Sequence, residues 1–516
     1  MITGVATSIT AFVGRTLRGP INEPITINNY GDFERIFGGL WVDSTLSYAV
    51  RDFFLNGGSQ AIIVRLFKKE DSKPDKAKLI TKATEPSTAI GLLLVAANPG
   101  EWGNSLRARI DHNVLEDKDA KQRFGLDANQ LFNLTILDAK TGFIETFQSL
   151  TVKENHPRRV DRVLENESQF VRVDTLPTAR PNAHAAPPEG KTIWNDENTN
   201  TYSKVVDANL ASNGTILSRS DFTGSGLADE KKGLYTLNKA DLFKILCIPP
   251  HKFDGEIEPE LIGEAAVFCQ SHRAFLIIDP PLNWKDKKQA KDGIQTIGTR
   301  SSHAAVFFPR LIQPNPLREN QLEEFAPCGV IAGIFARTDA QRGVWKAAAG
   351  LDATLVGVSE LSISLSDAEN GELNPLGINC LRTLPAAGRV VWGARTLQGD
   401  DRLASEWKYI PVRRLALYIE ESLYRGTQWI VFEPNDEALW AQIRLNVGAF
   451  MNNLFRQGAF QGKTPREAYV VKCDRETTTQ TDINSGIVNI VVGFAPLKPA
   501  EFVIIKIQQL AGQIST

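Results

Sequence analysis

An alternation of strand-type and helix-type segments, broken off near Leu66 and resumed near Ile245, constrains this chain more than any other feature. Thr10–Gly14 (TAFVG) reads as a strand and Asn29–Phe37 as a short helix. Ser44 opens a second helix, with Leu46, Val50, Phe53 and Phe54 at apolar positions, and Gly57-Gly58 stops it. Ala61–Leu66 is then a buried strand. The pattern returns with the strand Ile245–Ile248, a helix over Glu258–His272 and the strand Ala274–Ile278. A helix over Asp286–Ile297, the strand Ala304–Phe308 and a helix over Gly329–Ala336 follow. Such alternation predicts a mostly parallel sheet covered by helices. Residues 1–67 and 234–375 are therefore expected to form one split α/β core.

The interruption, residues 68–233, has another texture. It begins with the charged run KKEDSKPDKAK and contains strand-like Leu92–Ala96, Ser105–Asp111 and Leu131–Asp138. Residues 173–229 carry Pro177, Pro181, Pro187 and Pro188 among Asn, Thr, Gly and Ser, which predicts irregular surface. The segment reads as an inserted β-rich outer domain. Residues 376–500 form a third, α/β unit. Its strand Gly388–Thr396 precedes a helix, Val412–Tyr424, with Leu415, Ile419 and Leu423 on one face and Gly426 at its end. Trp429–Glu433 reads as a strand, Asp436–Arg456 as a second helix, and Ala468–Cys473 as a strand. Ile487–Phe494 and Phe502–Gln508 close the chain as β segments, the latter within a terminal arm, residues 501–516. Paired strands at a chain end offer an edge to another subunit. Overall the fold class is α/β, or α+β taken over the whole chain.

At 516 residues the chain exceeds one compact core. Its 58 Lys+Arg against 60 Asp+Glu exclude a long-range pull towards nucleic acid or anionic lipid. The five cysteines, 247, 269, 328, 380 and 473, have no CxxC spacing, and an odd count suits a reducing, cytoplasmic site of folding. The longest apolar run, Ala89–Ala97, is about half the roughly 20 residues that cross a bilayer. The N-terminus lacks the basic and apolar regions of a secretory signal.

No catalytic constellation stands out. The histidines at 112, 156, 184, 251, 272 and 303 occur singly and read as surface or capping groups, so no metal is expected. Gln457–Thr464 (QGAFQGKT) approaches a phosphate loop, but lacks the first Gly, follows a helix and precedes Pro465. A nucleotide-binding α/β enzyme, the rival reading from another class, would need that loop. Asp400-Asp401 reads as a turn, and Glu420-Glu421 as a solvated helix face. Trp392, Trp407, Trp429 and Trp440 read as core and interface. Neither enzyme chemistry nor a cofactor is expected.

Several segments in order resemble one family. They are Lys408–Leu423 (KYIPVRRLALYIEESL), Thr427–Asn435 (TQWIVFEPN), Gly458–Asp474 (GAFQGKTPREAYVVKCD) and Gly493–Val503 (GFAPLKPAEFV). Upstream, Thr10–Gly39 with Gly57-Gly58-Ser59, Asn98–Asn104 (NPGEWGN), Leu246–Pro250 (LCIPP) and Gly333–Asp339 (GIFARTD) continue the likeness. Together they resemble the sheath proteins of contractile tails, found in bacteriophages, R-type bacteriocins and extracellular contractile injection systems. The likeness covers the chain except about residues 113–233.

The resemblance implies a structural subunit stacked as hexameric rings, a helical sheath around an inner tube. It implies contraction from a metastable extended state, driving the tube through a target envelope without nucleotide. Implied partners are other copies, paralogous sheath subunits, the inner tube protein, and baseplate and cap or terminator proteins, with neither nucleic acid nor membrane insertion. Assembly would occur in the cytoplasm, in a phage tail or a phage-like particle that can be released. Neighbours in this family exchange strands. The corresponding candidates are Ile487, Val488, Ile490, Val492, Phe502, Ile504 and Lys506. For the grip on the inner tube the candidates are Arg444, Arg456, Lys463 and Arg466. They lie in Glu437–Lys472, where five basic residues face two acidic ones. A solvated helix face accounts for those charges equally well. The PGVYVEE-like arm that commonly opens family members is not seen ahead of Gly4–Gly14, which suits a truncated chain or a ring at one end of the sheath, a baseplate-proximal or cap-proximal component.

Overall fold

The computed structural model describes residues 2–81, 90–194 and 200–501. An eight-stranded sheet runs, edge to edge, Gly388–Val391, Ile378–Leu384, Ala304–Phe308, Phe275–Ile278, Ile245–Cys247, Thr10–Gly14, Ala61–Arg65 and Pro24–Ile27. The six inner strands are mutually parallel and the two edge strands antiparallel. Thr10 lies opposite both Ile245 and Ala61, so the two halves of the interrupted pattern meet at the first strand.

These strands are near-continuous apolar runs because both faces of the sheet are covered. Ala11 and Val13 point into one cluster with Leu246, Leu276 and Val306, beneath the helix Pro259–Ser271. Phe12 points to the opposite face with Ile63, Phe275 and Phe307, beneath the helices Leu46–Leu55 and Cys328–Arg342. That alternation is the two-residue period of a strand. The two helices on this second face touch backbone to backbone. A Cβ at Gly329 would collide with the Ala49 carbonyl oxygen, and one at Gly333 with that of Phe53. The latter helix is longer than the pattern predicts, running to Arg342.

Two antiparallel sheets make up the outer part. One orders Ser203–Lys204, Leu106–Asp111, Phe132–Asp138 and Ile144–Leu150; the other orders Lys78–Thr81, Leu92–Ala96 and Val171–Thr175. A single apolar cluster including Leu94, Trp102, Ile110, Leu134 and Phe147 joins them. Leu217, Phe222, Leu234 and Leu237 then pack into the core sheet's own cluster. Arg65, 1% exposed at the end of its core strand, donates to the carbonyls of Thr16, Gly19 and Pro99. Trp102 donates its indole N–H to the Asn98 and Pro99 carbonyls. The NPGEWGN segment is thus the fastening between core and outer part.

Candidate assembly surface

The helix Ile410–Gly426 joins the core to the C-terminal unit because it has two apolar faces. Ile410 and Leu417 enter the core cluster, whereas Leu415 and Ile419 pack with Trp440, Ile443 and Val447 of the helix Glu437–Arg456. Polar locks reinforce this linking helix. Arg414 pairs with Asp339, both almost fully buried, and donates to the Thr7 carbonyl. Arg413 donates to His303 Nε2 at 2.8 Å.

Glu421 corrects the expectation of a solvated face. It is 6% exposed and faces Lys244, Arg273 and Arg425 at 3.5, 3.2 and 2.7 Å, while Glu420 is exposed as expected. Burial alone would raise its pKa, but the hydrogen bond from Arg425 and the charges of Lys244 and Arg273 hold it below the ordinary value. Burial lowers Lys244 to about 8. The histidine expectation also needs correcting: His184, His251 and His303 are buried. Burial lowers His184 and His303 to about 4, the neighbouring Arg413 adding to the effect at His303. Among the described residues no group of three or more potential metal ligands occurs.

Residues 2–7 lie along their own chain's linking helix. Ile2 is buried against Leu415, Ile419 and Trp440, at a place where a Cβ on Gly426 would strike it. The Val5 N–H donates to Ser422 Oγ at 3.2 Å.

The C-terminal unit ends in a two-stranded antiparallel ribbon, Tyr469–Lys472 with Val491–Phe494. Tyr469, Val471, Val492 and Phe494 turn inward to the cluster, and Val470 and Val491 face solvent. Among the described residues both outer edges of the ribbon lack a strand neighbour. Two strands alone are marginal, and free edges present unpaired N–H and C=O groups.

The ribbon is shorter than the sequence pattern predicts. Of the strand candidates only Val492 lies in it. Ile487, Val488 and Ile490 precede it in an irregular segment that begins at left-handed Gly486 and is held by hydrogen bonds from Asn489 N–H to Thr478 Oγ1 and from Asn435 Nδ2 to the Ile487 carbonyl. Val488 and Ile490 pack on the cluster and Ile487 is exposed. Phe502, Ile504 and Lys506 lie outside the described residues.

Among the basic candidates, Arg444 is engaged, pairing with Glu437 at 2.7 Å and donating to the Cys473 carbonyl. Arg456, Lys463 and Arg466 are exposed at the end of the long helix and in the turn after it, with no carboxylate ion pair among the described residues.

Trp429–Glu433 is not a strand. Gln428–Ile430 form a single helical turn and Phe432 takes a left-handed φ of 72° with its side chain fully exposed. The run is rich in β-formers but finds no neighbouring strand, and Asp436 caps the next helix by accepting from Leu439 N–H. That cap was the signal for a turn. A further feature carries no sequence signal at all. Arg395, 1% exposed, grips Glu501 bidentately at 2.8 and 2.6 Å, and Asn374 and Tyr409 donate to the same carboxylate. The last described residue is therefore fastened to the core.

Comparison with known proteins agrees with this anatomy. Residues 404–509, covering the linking helix, long helix and ribbon, match the family model of the phage tail sheath C-terminal domain. The chain is 29% identical over 127 residues to the tail sheath protein of Vibrio phage KVP40, and 26% identical over 172 residues to a putative prophage major tail sheath protein of Pseudomonas aeruginosa. These matches cover 24% and 33% of this chain but only 18% and 42% of those relatives. Solved structures match nearly end to end. A chain of the contracted sheath complex of the extracellular contractile injection system PVC superposes with a TM-score of 0.58 at 20% identity, covering 98% of this chain and 93% of that one. A chain of the anti-feeding prophage baseplate gives 0.56 at 22%, covering 99% and 95%. Residues 404–509 thus match the phage tail sheath C-terminal domain, and over its length the chain has the fold seen in the PVC contracted sheath complex.

Proposed function

We propose that this protein is the structural, non-catalytic subunit of a contractile sheath, stacking as six-fold rings around an inner tube and shortening from a metastable extended state. The observation that carries the reading is the ribbon Tyr469–Lys472 with Val491–Phe494, which among the described residues has two free edges, in the segment that matches the sheath C-terminal domain. Strands added from neighbouring copies would complete it through main-chain hydrogen bonds, which tolerate rotation of the globular parts. The terminal arm, residues 501–516, with Phe502, Ile504 and Lys506, is the proposed donor, leaving from the Arg395–Glu501 clamp. Arg456, Lys463 and Arg466 are the proposed tube contacts, weak charges repeated around each ring. Arg444 contributes less because Glu437 already balances it. The split core (1–67 and 234–375), the outer domain (68–233) and the inner domain (376–500, except Ile378–Leu384 and Gly388–Val391, which lie in the core sheet) then form successive radial layers. Baseplate and cap proteins would close the ends, and assembly would take place in the producing cell's cytoplasm.

Negative-stain imaging of the concentrated protein, alone and co-expressed with an inner tube protein, tests this: striated tubes are the expected result, and uniformly monomeric particles contradict it. The match to a baseplate structure favours one second reading, a ring component confined to one sheath end. In that case the protein labels one end of isolated particles rather than their whole length.

A further inference from the structure

We infer that Phe432 is a knob that inserts into a cleft between the core and C-terminal unit of a second copy of this chain. The inference rests on the self-assembly reading above but names a contact other than strand addition. Two features of the molecule are each unfinished alone. The first is the tip of the loop between the linking and long helices. Phe432 is fully exposed and Val431 largely so, although a bulky residue at φ 72° costs on the order of 1–2 kcal/mol. The loop is held in place: Trp440 donates its indole N–H to Asn435 Oδ1 at 2.8 Å, and the Glu433 N–H bonds the Ile430 carbonyl at 3.0 Å. Beside the knob, Glu433 is exposed and its carboxylate has no ion pair among the described residues.

The second feature is a cleft of about 680 Å³ lined by Trp345 and Trp392. Arg342, Lys346 and Lys498 border it. Arg342 has only a loose 3.6 Å pairing with the exposed Asp352, and neither lysine has a carboxylate partner among the described residues. Asn370 and Asn374 also line it. Asn374 is 4% exposed and donates its amide N–H to Glu501 at 3.0 Å.

Knob and cleft are complementary in chemistry. A phenyl ring suits two indoles, and a free carboxylate suits a basic rim. Because Phe432 is fully exposed on its own chain, it does not fill its own cleft. Knob and cleft are different patches, so the contact is head-to-tail and propagates into a ring or helix rather than closing as a dimer.

The test mixes two proteins that each carry one added cysteine, Phe432→Cys and Trp345→Cys, under mild oxidation; the five native cysteines are all buried. A covalent dimer in the mixture, absent from either protein alone, is expected. Phe432→Ala should weaken self-association about thirtyfold in sedimentation, and Glu433→Arg with Arg342→Glu should recover what either charge reversal loses. A mixture without cross-link, or a Phe432→Cys dimer formed by itself, overturns the contact. Cross-link failure while wild-type tubes form removes the knob and leaves the sheath reading. A cross-link without tubes supports the knob and removes the sheath reading.

Discussion

Glu421 shows how much a single side chain holds at the joint between core and C-terminal unit. With three basic partners around it and almost no solvent, replacing it by Gln leaves Lys244, itself 5% exposed, without a counter-charge. Glu421→Gln should cost about 3 kcal/mol in urea unfolding, and Lys244→Met in the same chain should restore part of it. His303 predicts a pH dependence at the same joint. Its folded pKa of about 4 lies below the ordinary 6.5, so the stability it contributes is fully present above pH 6.5 and is lost as pH falls towards 4. Protonation would place a second cation against Arg413. His184 acts in the same direction, whereas Asp279, raised to about 6 by burial, gains a proton on folding and opposes them. His303→Gln isolates the effect: between pH 6.5 and 4 its stability should fall less steeply than the wild type's, by up to one proton's worth. None of these partnerships was legible in the sequence. Arg414 and Asp339 lie 75 residues apart and Arg395 and Glu501 106 apart, and nothing local marks either pair.

Elements fared better where the environment was uniform. The inner strands of the core were readable because a strand covered on both faces must be apolar throughout, as Ala304–Phe308 is. The helix Asp436–Arg456 was readable from its cap and its period. Trp429–Glu433 misled because a β-rich run becomes a strand only if a neighbour is there to bond it, and here solvent is. Close approaches of helices were equally invisible. Gly329→Ala or Gly333→Ala should force the helices Leu46–Leu55 and Cys328–Arg342 apart, at about 1–3 kcal/mol each, seen as a lowered Tm. At the C-terminal helix, Arg456→Glu, Lys463→Glu and Arg466→Glu together should leave Tm unchanged, since these side chains are exposed. Co-purification with the inner tube should nevertheless fall, most at low salt, with the difference from the wild type shrinking as salt rises.

For the whole molecule, the sequence pattern already placed the two halves of the split core in one sheet, and the register of Thr10 against Ile245 and Ala61 makes that joint physical. The outer part is bound to it by the Arg65 carbonyl cluster. Arg65→Met should lower stability by about 3 kcal/mol and expose the 68–233 segment to proteolysis first. A chain of near-zero net charge suits repeated self-contact, because a large charge would accumulate repulsion around every ring. The ribbon is where such contact would be made, being the one sheet beyond the linking helix among the described residues, and incomplete there. Cryo-electron microscopy of the protein assembled around an inner tube tests the account most directly. It predicts stacked six-subunit rings in which Tyr469–Lys472 or Val491–Phe494 gains a strand from a neighbouring copy. Tubes or particles in which that ribbon stays two-stranded would contradict it.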